Sequence, residues 1–176
     1  MAELSELTTQ AMDAYNLGHY DEAAELYRSL ASEFETKGDL LSAAEMKNNR
    51  SVTLLKSGHA LEALTEAQGT DQIFSDAGDM RRQALALGNQ AAAYESLGKL
   101  DEAARLYQQS ANFLETAGEK ELFFIVMKSL STVYMKQGKQ MDTVIALQAS
   151  LAGDKKLSLR EKIIKNFLKK IFTFLP

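Results

Sequence analysis

The sequence predicts an all-α protein, a stack of four helical hairpins followed by one C-terminal amphipathic helix. Three features carry that expectation. Gly18, Gly38, Gly58, Gly78, Gly98, Gly118 and Gly138 recur every twenty residues without a slip. The single proline is the last residue, Pro176, in a chain rich in Ala, Leu, Glu, Gln and Lys, so long helices are free to form. Aligned on every second glycine, the chain shows fixed columns of small and of large side chains.

A helix that must stop and reverse needs a left-handed residue just past its end, a conformation glycine takes without a Cβ clash. Each glycine therefore closes a helix of roughly 17 residues, about 25 Å long, and the short turns force neighbours antiparallel. The first hairpin, about residues 1–38, turns at Gly18, where the chain reads LGHYDEAAELY over 17–27. The second, 39–78, turns at Gly58. The third, 79–118, turns at Gly98 and repeats the phrase as LGKLDEAARLY over 97–107. The fourth, 119–153, turns at Gly138. Seven residues before these turns stand Ala11, Ser51, Ala91 and Ser131, and five after them Ala23, Ala63, Ala103 and Thr143. Small residues at those positions let two helix backbones approach closely. Two further columns, larger in most repeats, fill the space left over: Ala14, Leu54, Tyr94 and Tyr134 on one helix, Tyr27, Ala67, Tyr107 and Leu147 on the other. Hairpins of this kind bury their open faces only by stacking on one another.

Gly18, Tyr20, Asp21, Glu22, Ala23 and Tyr27, echoed by Gly98, Leu100, Asp101, Glu102, Ala103 and Tyr107, resemble tetratricopeptide repeats. The forty-residue spacing, with Gly-Asp at 38–39 and 78–79, is similar to the lengthened repeat of kinesin light chains. The resemblance covers about residues 3–153. It is specific in the first and third hairpins, looser in the second, where Ala67 and Thr70 replace bulkier residues, and poor in the fourth, where Asp142-Thr143 replaces Glu-Ala. It implies a TPR-like right-handed α-solenoid that serves as a non-catalytic scaffold or adaptor and binds a protein or peptide.

Composition narrows the chemistry. The chain has no cysteine, which removes disulfides, thiolate metal sites and cysteine nucleophiles. Its first twenty residues begin acidic and never run apolar, so neither a secretory signal nor a membrane span is expected there, and the expected location is cytoplasmic. His19 and His59 share a column with no third ligand, and are expected to be turn residues rather than a metal or general-base pair. Asp21-Glu22 and Asp101-Glu102 fall in first turns, where negative charge meets the positive end of the helix dipole. No glycine follows a strand to form a phosphate loop. No catalytic residue, metal or cofactor is therefore expected. Residues 1–154 carry a net charge of −10, which argues against a nucleic-acid partner.

What remains is binding. By the resemblance, the first helix of each hairpin lines a concave groove. The positions implied to face it are Thr8, Met12 and Tyr15; Asn48, Val52 and Leu55; Gly88, Ala92 and Glu95; and Lys128, Thr132 and Met135, with Asn49 and Asn89 in a neighbouring column. Members of the family the chain resembles that hold a terminal carboxylate place Lys or Arg and Asn on adjacent repeats, whereas Asn48 and Lys128 lie two repeats apart. A short helix or extended peptide is the expected ligand.

Residues 154–176 leave the repeat pattern. Ser158 and Glu161 stand at capping-box spacing, and Ile163, Ile164, Phe167, Leu168, Ile171, Phe172 and Leu175 then follow at three- and four-residue intervals. Lys162, Lys165, Asn166, Lys169 and Lys170 take the other side, and residues 155–176 carry a net +6. The predicted helix is too short and too charged to span a bilayer. Its apolar face calls for cover, and three covers are open: the end of the fourth hairpin, an anionic membrane surface reached through residues 158–175, or another chain, including a second copy in a homodimer.

Overall fold

The computed structural model describes residues 2–151 and 161–166. Nine helices run through the first segment: α1 (Ala2–Asn16), α2 (Tyr20–Thr36), α3 (Leu40–Lys56), α4 (Ala60–Ala67), α5 (Thr70–Asp76), α6 (Met80–Ser96), α7 (Leu100–Thr116), α8 (Lys120–Lys136) and α9 (Gln140–Leu151). Residues 161–166 are also helical. No strand occurs among the described residues.

The seven periodic glycines act as the sequence predicts. Each has φ between 71° and 86°. At the first, Gly18 N–H donates to the Tyr15 carbonyl at 3.1 Å and His19 N–H to the Ala14 carbonyl at 2.9 Å, the paired bonds of a Schellman cap. The same pair recurs at the other six turns, for instance Gly98 to Glu95 and Lys99 to Tyr94. Two carbonyls that the helix end would leave unsatisfied are thus bonded at every reversal.

Packing follows the columns. Ala11, Ser51 and Ala91 on the first helices and Ala23, Ala63 and Ala103 on the second are all 0% exposed. Ser51 Oγ donates to the Ala63 carbonyl at 2.7 Å, tying its hairpin together by a bond that alanine could not make. Tyr27 and Tyr107 are buried beside these small residues, as are Leu30, Leu114 and Leu130. Each such leucine stabilises by about 1.5–3 kcal/mol relative to exposure. The core passes from hairpin to hairpin: Met46 of α3 joins the cluster of the first, and Ala93 of α6 joins that of the second.

One element departs from the expectation. The second helix of the second hairpin is divided, because Gln68 is extended (ψ 131°) and Gly69 is left-handed (φ 79°). An eighth glycine, off the twenty-residue beat, therefore also ends a helix. The carbonyl of Ala67 that the break frees accepts from Thr70 Oγ1 at 2.7 Å and from Gln90 Nε2 at 3.1 Å. Gln90 belongs to α6, and its amide also donates to Asp71 Oδ1 at 2.7 Å. Beyond the break, α5 delivers Phe74 into a buried cluster with Ala44 and Ala86.

Candidate functional site

The first helices of adjacent hairpins touch through polar pairs. Asn89 Nδ2 donates to Asn48 Oδ1 at 3.1 Å between α6 and α3. Lys136 Nζ donates to Glu95 Oε1 at 2.8 Å between α8 and α6. Arg82 reaches Glu45 at 3.3 Å while also pairing with Asp79 at 2.6 Å. These contacts bring α3, α6 and α8 side by side, three of the helices expected to line the groove.

The structure sorts the groove positions into two groups. Met12 and Met135 are exposed, at 53% and 64%, and Thr8, Tyr15, Val52, Leu55, Ala92 and Thr132 are half-buried. These side chains are at least partly open to solvent. The polar positions are largely committed elsewhere. Asn48 is buried, at 8% exposed, and donates to the Ala44 carbonyl at 3.1 Å, so it is a packing residue between α3 and α6, contrary to the expectation. Asn89 is its partner, and the half-buried Asn49 accepts at its carbonyl from Thr53 Oγ1 at 2.8 Å. Glu95 is held by Lys136 and by the hydroxyl of Tyr107 at 3.2 Å. Burial first, and then the nearby Glu95 carboxylate, push the Tyr107 phenol well above its ordinary pKa, so it stays a neutral donor. Lys128 pairs with Glu161 at 3.0 Å. Gly88 is half-buried, and a Cβ there would meet Ser110 Oγ at 3.5 Å, an ordinary contact.

Ile125 lies outside the positions that the resemblance implies for the groove, yet it joins their exposed face on α8. It is 62% exposed and shares a face of α8 with Lys128, Thr132 and Met135. The signal was there: the apolar run over 122–127 is longer than one buried face of a helix can absorb.

Two histidines and two aspartates serve helix ends. His19 and His59 precede α2 and α4 and lie 3.6 Å and 3.3 Å from Glu22 and Glu62 in the following turn. Asp39 accepts from Ser42 N at 3.0 Å and Ser42 Oγ at 2.7 Å, and Asp79 accepts from Arg82 N at 2.8 Å. Those bonds hold both carboxyls below the usual range, chiefly the Ser42 hydroxyl for Asp39 and the Arg82 amide for Asp79. Among the described residues no group of three His, Cys, Asp or Glu could hold a metal ion, and no helix is long and apolar enough to cross a membrane.

Of the tail positions, Ile164 packs against the buried Leu151, as Val144 and Leu147 do, whereas Ile163 is 62% exposed. Phe167, Leu168, Ile171, Phe172 and Leu175 lie outside the described residues.

Comparison with known proteins agrees with this geometry. A tetratricopeptide repeat family model matches residues 86–117, the α6–α7 hairpin. No curated protein sequence matches the chain. Among solved structures, nearly identical TPR-like repeats from a Podosopora anserina protein described as a kinesin light chain align with a TM-score of 0.76 at 16% identity, over 97% of this chain and 87% of that one. A single-substitution variant of the same protein aligns with a TM-score of 0.76 at 17% identity, over the same shares. The likeness to the solved structures shows the fold, an all-α array of helical repeats, and the family match within it covers the α6–α7 hairpin. Tetratricopeptide repeats, the family whose model matches that hairpin, generally mediate protein–protein interaction.

Proposed function

We infer that the groove of first helices binds an extended or helical segment of another protein. The carrying observation is the line of apolar atoms left open along it: Met12, Val52, Leu55, Ala92, Ile125 and Met135 stay at least partly exposed while the stacking columns of the same helices are sealed. Because Asn48, Glu95 and Lys128 are already engaged, the ligand is selected mainly by large apolar side chains spaced to fall between successive helices. A carboxylate clamp finds no support, since Asn48 pairs with Asn89 and Lys128 with Glu161.

Photo-crosslinking tests this. A crosslinker in place of Met135 or Val52 captures a specific protein from the source cell, and one in place of Arg105 on the outer face of α7 does not. Capture from Arg105 alone refutes the groove reading.

A further inference from the structure

The chain has no cysteine, so the sulfur available to an oxidant is that of methionine. Its described methionines fall into two sets by their surroundings. Met46 and Met127 are sealed in core clusters, at 6% and 7% exposed, whereas Met12, Met80, Met135 and Met141 are open to solvent. Two of the open set stand on the line of apolar side chains described above: Met12 on α1 and Met135 on α8, in the first and the last hairpin. Along that line Val52, Leu55 and Ala92 are half-buried, and only Ile125 is comparably exposed. The two thioethers therefore supply much of the apolar surface that a ligand meets at either end of the groove. They are also the side chains on that line whose polarity can be changed covalently and then restored.

Given the groove inferred above as the binding surface, on which this rests, we propose that Met12 and Met135 are a peroxide-responsive modification site, and that oxidising both to the sulfoxide releases the bound segment. In the forward step a sulfur lone pair attacks one oxygen of hydrogen peroxide. An S–O bond forms, the O–O bond breaks and water leaves, so sulfur loses two electrons and the peroxide gains them. In the reverse step a methionine sulfoxide reductase draws two electrons from a dithiol. The sulfoxide oxygen then leaves as water, and the dithiol becomes a disulfide. Exposure selects the sulfurs that react, and the core methionines are shielded from the oxidant. Polarity sets the consequence. A thioether packs against apolar groups and accepts hydrogen bonds only weakly, whereas a sulfoxide is a polar acceptor that a ligand's apolar side chain would cut off from water without replacing the bond. Met141, 57% exposed in the first turn of α9, also meets solvent but lies off the line, which makes it an internal control.

The test treats the full chain with hydrogen peroxide and follows its peptides by mass spectrometry. Met12 and Met135 are expected to take up oxygen at least about tenfold faster than Met46 and Met127. Affinity for the purified protein first identified by crosslinking through Val52 is then expected to fall about tenfold or more, at an unchanged melting temperature, and to return after treatment with the reductase and a dithiol. The Met12→Leu, Met135→Leu double variant keeps apolar side chains without sulfur. Peroxide is expected to leave its affinity at that variant's own untreated level, although Met141 is oxidised. Undiminished affinity with both sulfurs oxidised overturns the proposal and leaves the groove as the binding surface. An equal loss in the double variant also overturns it, since another residue then carries the effect. Failure of Val52 to capture any protein before peroxide is added overturns the groove and this site together.

Discussion

The second and third hairpins are built on the same forty-residue plan, yet one is broken and the other is not. In the third, α6 and α7 run 17 residues each, with Tyr107 filling the space beside Ala103. In the second, Ala67 stands where the tyrosine would be, Gly69 follows, and the helix divides into α4 and α5. The break persists because the next hairpin supplies Gln90 to the freed carbonyl, so no polar group is orphaned. A glycine on the beat ends a helix where the chain must reverse. A glycine off the beat bends one only where a neighbour satisfies the exposed backbone.

The largest expected effects lie in the two cores. Phe74→Ala should destabilise by about 3–5 kcal/mol and its column mate Leu114→Ala by about 2–5, measured by urea unfolding. A Phe74 loss under about 1 kcal/mol would mean that the broken helix does not pack as described. Gln90→Leu comes next, at about 1–3 kcal/mol, because it strips a buried carbonyl and Asp71 of a donor. The exposed Gln10 of the same column should change stability by less than about 0.5 kcal/mol on the same substitution. Equal values for the two would detach Gln90 from the break.

Gly98→Val should lower stability by about 1–2 kcal/mol, since a β-branched residue resists the left-handed conformation. An unchanged melting temperature would count against the cap. The smallest effects are the first-helix caps. Asp79→Ala should lose about 1 kcal/mol and Asp39→Ala somewhat less, since Asp79 alone of the two also holds Arg82. Both carboxyls have folded pKa values below their unfolded ones. The stabilisation is therefore complete above an unfolded value of about 3.9 and is lost as pH falls through the lower folded value. Wild-type and variant melting temperatures should accordingly converge as pH falls below the lowered folded value.

The array was legible in the sequence because turn chemistry is local: a left-handed position demands glycine whatever surrounds it, and seven glycines kept time. The small columns were legible for a similar reason, as Ala11, Ala23 and Ser51 have no room for alternatives. What escaped depends on neighbours distant in sequence. Nothing near Gly69 announces that Gln90, 21 residues on, will stabilise a break. Asn48 reads as groove-facing by column, but whether it faces solvent or α6 depends on Asn89, 41 residues away. Lys128 likewise looks open until Glu161 is placed beside it.

The central claim is that the first helices form the working surface and the second helices only support it. Amide hydrogen exchange of the full chain, with and without the protein captured through Met135, tests that most directly. Added protection confined to α1, α3, α6 and α8 is the predicted result; protection centred on α2, α7 and α9, with the first helices unchanged, would contradict it.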